Sequence, residues 1–151
     1  MPISMAMSLA RQFLRRPAAD RRLLVRALAL HACVATLLRI VRFGRLSEWL
    51  RHGDGQLSAS DRSVDSAAID RIVWAVRQAA SVVPWGRTCL TEALTAAALL
   101  QRAGCVTTLR YGVVTDGDRV AAHAWLERDG VVIIGRSVVS YQPLESAVRV
   151  A

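Results

Sequence analysis

Cysteine and aromatic residues are both sparse in this chain. Of its 151 residues only three are cysteine, and Phe, Trp and Tyr together make up 5%. Cys33, Cys89 and Cys105 are odd in number and irregular in spacing, which argues against a disulfide framework and for reduced thiols in a cytoplasmic setting. There is no CxxC pair and no Cys/His tetrad, so nothing suggests zinc, and no cofactor is expected. Acidic residues are also few, 12 against 20 basic ones, for a net charge of +8. That balance suits an acidic partner such as nucleic acid, anionic lipid or an acidic peptide. The positive charge, all of it Arg, is dispersed, and no aromatic residues are interleaved with it as a base-stacking surface, so nucleic-acid binding is not expected.

Long uncharged apolar runs are missing as well. The most apolar stretch, Leu23 to Val41, is interrupted by Arg26, His31 and Arg39, each costly at the middle of a bilayer. A buried or interfacial helix is expected there, with membrane association only a secondary reading. Met1 to Ala10 lacks the early basic region of a signal peptide. What is abundant is hydrophobic side chain, 53% of the residues, which excludes intrinsic disorder. A chain of this length forms one domain with a sizeable core. Residues 1–64 read as an N-terminal helical region and polar loop, and residues 65–151 as the core that carries the chemistry.

Along the chain, Pro17 stops what precedes it and Asp20 is a candidate cap for a helix running to about Val41. Phe43 to Arg51 continues that helix or forms a second one, His52 to Gly55 is a turn cluster, and Gln56 to Asp65 is a polar loop. Asp65 or Ser66 caps a helix over Ala67 to Val82, whose Ile69, Ile72, Val73, Val76 and Ala80 fall at helical spacing. Pro84-Trp85-Gly86 breaks it. Thr88 then opens a helix from Cys89 to Arg102, with Gly104 as its natural end. Beyond that the period changes to two. Val106 to Val114 is a strand with Thr107, Leu109, Tyr111 and Val113 on one face. Val120 to Arg128 is a second strand, and Val131 to Ile134 a third, joined by an Asp129-Gly130 hairpin turn. A short further strand is expected around Val138 to Tyr141. Helices first and an antiparallel meander after them define an α+β fold.

Only one combination of residues suggests chemistry. Cys89 stands where a helix begins, and His123 stands on a strand within Ala122-His123-Ala124-Trp125-Leu126-Glu127. A helix N-terminus carries about half a positive charge and unpaired N–H groups, which favour a thiolate and offer donors to an oxyanion. The Trp85 indole N–H, just upstream, is a further candidate donor. An imidazole beside such a thiol is the partner a cysteine nucleophile uses. His31 and His52, like Cys33 and Cys105, read as structural.

These motifs, together with Leu109-Arg110-Tyr111-Gly112-Val113 and the upstream Arg16-Pro17-Ala18-Ala19-Asp20-Arg21-Arg22-Leu23-Leu24, resemble the transglutaminase-like cysteine peptidases of lasso peptide biosynthesis. These are the leader peptidases whose fused form occurs in microcin maturation. The resemblance covers roughly residues 12 to 145. It implies a transglutaminase-like or papain-like fold and removal of the leader from a ribosomally made lasso precursor peptide. Cys89 is then the nucleophile, and His123 acts as base and afterwards as acid, through a thioester. It also implies three partners: the precursor peptide, a small leader-binding protein and an ATP-dependent cyclase. Only about 20 residues precede the first long helix, too few for a fused recognition domain, so the stand-alone form is expected.

The sequence departs from that family in one respect. The resemblance implies an aspartate on the strand after the histidine, orienting its ring, and the corresponding residues Gly135, Arg136 and Ser137 are not acidic. A regular two-residue hairpin sets His123 opposite Arg136. Asp129 and Glu127 then lie about 20 Å and about 13 Å along the strand from His123, too far to reach the ring. Ser137, Gln142 or no third group at all remain the options. Two alternative readings follow: a catalytically impaired peptide-binding scaffold, and acyl transfer to an amine.

Overall fold

Pro17 sets the start of the first helix. In the computed structural model, which describes residues 16–40, 64–116, 119–135, 142–143 and 148–150, the Pro17 carbonyl accepts the Arg21 N–H and helix α1 runs Ala18–Ile40. Asp20 therefore lies inside the first turn and does not cap it. Its carboxylate suits the positive helix end and pairs with Arg71 of the next helix, α2 (Ser66–Val82). α2 begins as its sequence implies, with the Asp65 carboxylate accepting the Ala67 N–H.

A single 3-10 turn, Pro84–Gly86, leads into α3 (Cys89–Arg102). Gly104, at φ 83°, closes α3. The Gly104 N–H bonds the Gln101 carbonyl and the Cys105 N–H bonds the Leu100 carbonyl, the paired pattern of a left-handed helix end. The strands are β1 (Thr107–Asp116), β2 (Arg119–Arg128), β3 (Val131–Ile134), β4 (Gln142–Pro143) and β5 (Val148–Val150). They form one antiparallel sheet in the order β3-β2-β1-β4, with β5 also pairing β1. The described tail strands thus lie after the expected Val138–Tyr141, which falls outside the described residues, as do residues 43–51 and most of the polar loop.

The helices cover one face of the sheet. Leu109 and Leu126 face each other in register and are buried with Ile134 against Leu100, Ala97 and Val76. α1 joins through Ala27, His31 and Ala35, spaced four apart on one stripe. Its two alanines allow close approach to α2 and to the 3-10 turn, where Gly86 lacks the Cβ that would fall 2.9 Å from Ala35 Cβ. By length and composition α1 is apolar enough to cross a membrane, yet this buried stripe uses one of its faces as a core helix would.

One expectation of register is corrected. Arg128 does pair with Val131 across the Asp129-Gly130 turn, but a bulge between Leu126 and Glu127 then pairs Leu126 with Ile134. Ile133 is the extra residue, so Ile134 is displaced by one position relative to β2. Gly135 follows at φ 86°, and β3 ends there.

Leu100 is fully buried at the centre of this core. Leu100→Ala is expected to lower the unfolding free energy by about 2–5 kcal/mol in urea titration, with the slope against urea unchanged.

Candidate active site

Cys89 is the first residue of α3. Thr88 is extended and caps the helix: its Oγ1 accepts the Thr91 N–H at 3.1 Å and its carbonyl accepts the Glu92 N–H at 3.1 Å. The backbone N–H groups of Cys89 and Leu90 make no hydrogen bond to another described residue. They stand at the positive end of α3 as donors for a negatively charged oxygen. The Cys89 sulfur is partly buried and accepts the Ala124 N–H at 3.4 Å.

That contact depends on where β3 stops. β3 pairs only with Leu126–Arg128 of β2. Gly135 passes so close to β2 that a Cβ on it would lie 2.7 Å from the Ala124 carbonyl oxygen. In a strand, a residue's N–H and C=O leave on the same side, so the Ala124 N–H points to this edge too. With no further strand described along it, the edge receives the thiol. α3 and β2 thus meet one residue along from His123.

The ring of His123 is held at the same edge, its Nε2 lying 2.5 Å from the Gly135 carbonyl oxygen. A carbonyl only accepts, so Nε2 donates and carries the proton in the neutral ring, and Nδ1 is then the basic nitrogen. Among the described residues the acceptor on Nε2 is therefore backbone, in the zone where the resemblance implies an aspartate. Glu127 and Asp129 do not serve. Glu127 accepts from Arg110 Nε at 2.5 Å and from Trp125 Nε1 at 2.7 Å. Asp129 is exposed and pairs with Arg128. Ser137 lies outside the described residues, and only the backbone of Gln142 is described.

Trp125 stacks on His123 with ring centroids 6.1 Å apart and planes 18° from parallel. Arg110, Glu127, Trp125 and His123 thus form a chain of contacts along the sheet face turned away from the helices. Period-two alternation places Glu127, Trp125 and His123 on one face, but the bonds that link them are not readable from it. Trp85, the other candidate donor, sits in the 3-10 turn with nearly half its surface exposed.

His31 is no isolated core histidine. It is fully buried, with Nε2 3.0 Å from the Gly86 carbonyl and Nδ1 3.2 Å from Thr95 Oγ1. Burial pushes its pKa below the ordinary 6.5, against the opposing pull of the Gly86 carbonyl and the Glu92 charge. No group of His, Cys, Asp or Glu among the described residues is arranged to hold a metal ion.

Residues 30–146 match the model of the Transglutaminase-like superfamily. The match runs from within α1 to just before β5, most of the chain, and the protein belongs to that superfamily. Its members are typically cysteine peptidases or acyltransferases. No curated protein and no solved structure matches the chain.

Two predictions follow from these contacts. Gly135→Ala puts a side chain at a left-handed φ and against the β2 backbone, and neither can relax without moving the carbonyl that holds His123. The variant is expected to lose about 1–2 kcal/mol or more of stability on chemical denaturation and at least about 10-fold in turnover. The second concerns pH. The unfolded chain protonates His31 near 6.5 and the folded one only at lower pH. Unfolding therefore takes up a proton in that window, and this group's contribution to stability falls as pH drops below about 6.5 and is level above it. Urea midpoints at about pH 7.5 and about pH 5.5 are expected to differ less in His31→Gln than in the parent.

Proposed function

We propose that the protein is a cysteine peptidase that removes the leader from a ribosomally synthesised lasso precursor peptide. The observation that carries the peptidase reading is the seat of the Cys89 sulfur: it lies at a helix N-terminus, on the β2 edge beside His123. The narrower assignment to leader removal is supported by the Thr88-Cys89-Leu90 and Ala122-His123-Ala124-Trp125 motifs and the order in which they occur.

In this reading the Cys89 sulfur attacks the scissile carbonyl carbon as its proton passes to His123 Nδ1. The tetrahedral oxyanion is received by the N–H groups that open α3. Collapse breaks the C–N bond, Nδ1–H protonates the departing amine, and a thioester remains. His123 then takes a proton from water, whose oxygen attacks the thioester and releases the acid and the free thiol. The Gly135 carbonyl keeps Nε2 protonated throughout, so Nδ1 is the nitrogen that exchanges protons. The precursor is delivered by a small leader-binding protein, an ATP-dependent cyclase closes the ring afterwards, and the reaction takes place in the cytoplasm.

A second reading is favoured by one observation. The acceptor on Nε2 is a carbonyl dipole and not a carboxylate, so it fixes the tautomer but adds no full charge opposite an imidazolium. A site weakened in this way fits a peptide-binding module that has lost turnover. Superfamily membership also keeps acyl transfer to an amine in view.

Purified protein with its leader-binding partner is expected to cleave the precursor, and Cys89→Ala to reduce cleavage to background. Cleavage undiminished in Cys89→Ala removes Cys89 from the reaction. Amine conjugates formed in preference to free acid, when an amine acceptor is supplied, identify acyl transfer.

A further inference from the structure

We infer that His31 is a positioning residue for the Cys89 nucleophile, acting from α1 through a ring of polar contacts around the cap of α3. The inference rests on the reading of Cys89 as a nucleophile and adds a residue that neither the cysteine nor the histidine motif contains.

The ring runs as follows. His31 Nε2 donates to the Gly86 carbonyl at 3.0 Å, and the same carbonyl accepts the Thr88 N–H at 2.9 Å. Thr88 Oγ1 lies 2.6 Å from Thr91 Oγ1 and accepts the Thr91 N–H. One turn on, Thr95 Oγ1 donates to the Thr91 carbonyl at 2.7 Å, and that hydroxyl lies 3.2 Å from His31 Nδ1. His31, Thr91 and Thr95 are buried. The ring thus joins α1, the 3-10 turn and the first two turns of α3, and Cys89 follows directly on Thr88.

This arrangement needs a hydrogen-bond donor at the position of His31 Nε2. An apolar residue of the same volume removes that donor and leaves the buried end of the turn held at the Gly86 carbonyl by the Thr88 N–H alone. The fit is also tight: a Cβ on Gly86 would fall 3.0 Å from His31 Nε2 and 2.9 Å from Ala35 Cβ. The turn is therefore pinned both by packing against Ala35 and by the ring nitrogen. Freed of the hydrogen bond, the Gly86–Thr88 segment can shift, and Cys89 shifts with it relative to the Ala124 N–H and His123. Sub-ångström placement of a nucleophile matters far more to rate than to global stability.

The test is site-resolved alkylation with iodoacetamide, read by mass spectrometry on the folded full chain, with the exposed Cys33 as internal reference. It needs no substrate. The parent is expected to alkylate Cys89 faster than Cys33. His31→Leu is expected to slow Cys89 by about 10-fold, less than the roughly 10²-fold that a 1 Å misplacement can cost, with Cys33 unchanged. His31→Gln, whose amide nitrogen can still donate to Gly86, is expected to restore most of the rate. Thr95→Val, a near-isosteric change that opens the ring at its other side, is expected to give an intermediate loss even if His31→Leu fails to fold. Parental Cys89 rates in folded His31→Leu or in Thr95→Val overturn the positioning role while leaving Cys89 as nucleophile. A rate in His31→Gln as low as in His31→Leu overturns it too. A parent in which Cys89 reacts no faster than Cys33 overturns the nucleophile reading itself, and the inference with it.

Discussion

The site depends on where β3 ends. A longer β3 would cover the β2 edge at Ala124, and its backbone would take the N–H that now meets the Cys89 sulfur. The bulge at Leu126 and Glu127 and the left-handed Gly135 end the pairing at this point. The opening so made admits the start of α3, and Gly135, the residue after β3, turns its carbonyl to His123. One strand terminus thus sets the place of the thiol, the orientation of the imidazole and the nitrogen that is basic.

The helices hold the other half of the site. α3 is fixed along its length by the core around Leu100, Leu109 and Leu126, but its first turn lies at the edge of that core. Helix ends fray unless something ties them. Here the tie consists of the Thr88 cap and the buried polar contacts of His31, which reach the turn from a helix more than fifty residues earlier in the chain. The apolar stripe of α1 and its single buried polar side chain therefore serve different ends. Ala27 and Ala35 bring the helix close, and His31 gives that approach a direction.

Much of this was legible in the sequence. Cys89 at a helix start follows from Thr88, the apolar spacing after it and the break at Pro84, and the hairpin follows from Asp129-Gly130 between β-branched runs. Asp20 suits both a cap and the first turn, and the helix start at Ala18 with its pairing to Arg71 separates the two. The bulge is invisible to a period-two count, which sets His123 opposite Arg136 and leaves only side chains, Ser137 and Gln142 among them, as candidates to hold the ring. The acceptor on the ring is a main-chain oxygen, which no side-chain pattern can announce. His31 was read as structural because a lone histidine on an apolar helix carries no signal of what it bonds; its partners, Gly86 and Thr95, lie far away in sequence.

A backbone carbonyl, standing where the resemblance implies a carboxylate, accepts from Nε2 of His123 and so selects the Nε2-protonated tautomer of the neutral ring. Nitrogen-15 NMR of the imidazole in the neutral state reads the tautomer directly. The account predicts a protonated, pyrrole-type Nε2 and an unprotonated, pyridine-type Nδ1 for His123 in the parent, and a mixture approaching that of free imidazole in Gly135→Ala. A parent His123 protonated on Nδ1, or one averaging between the two tautomers, contradicts it.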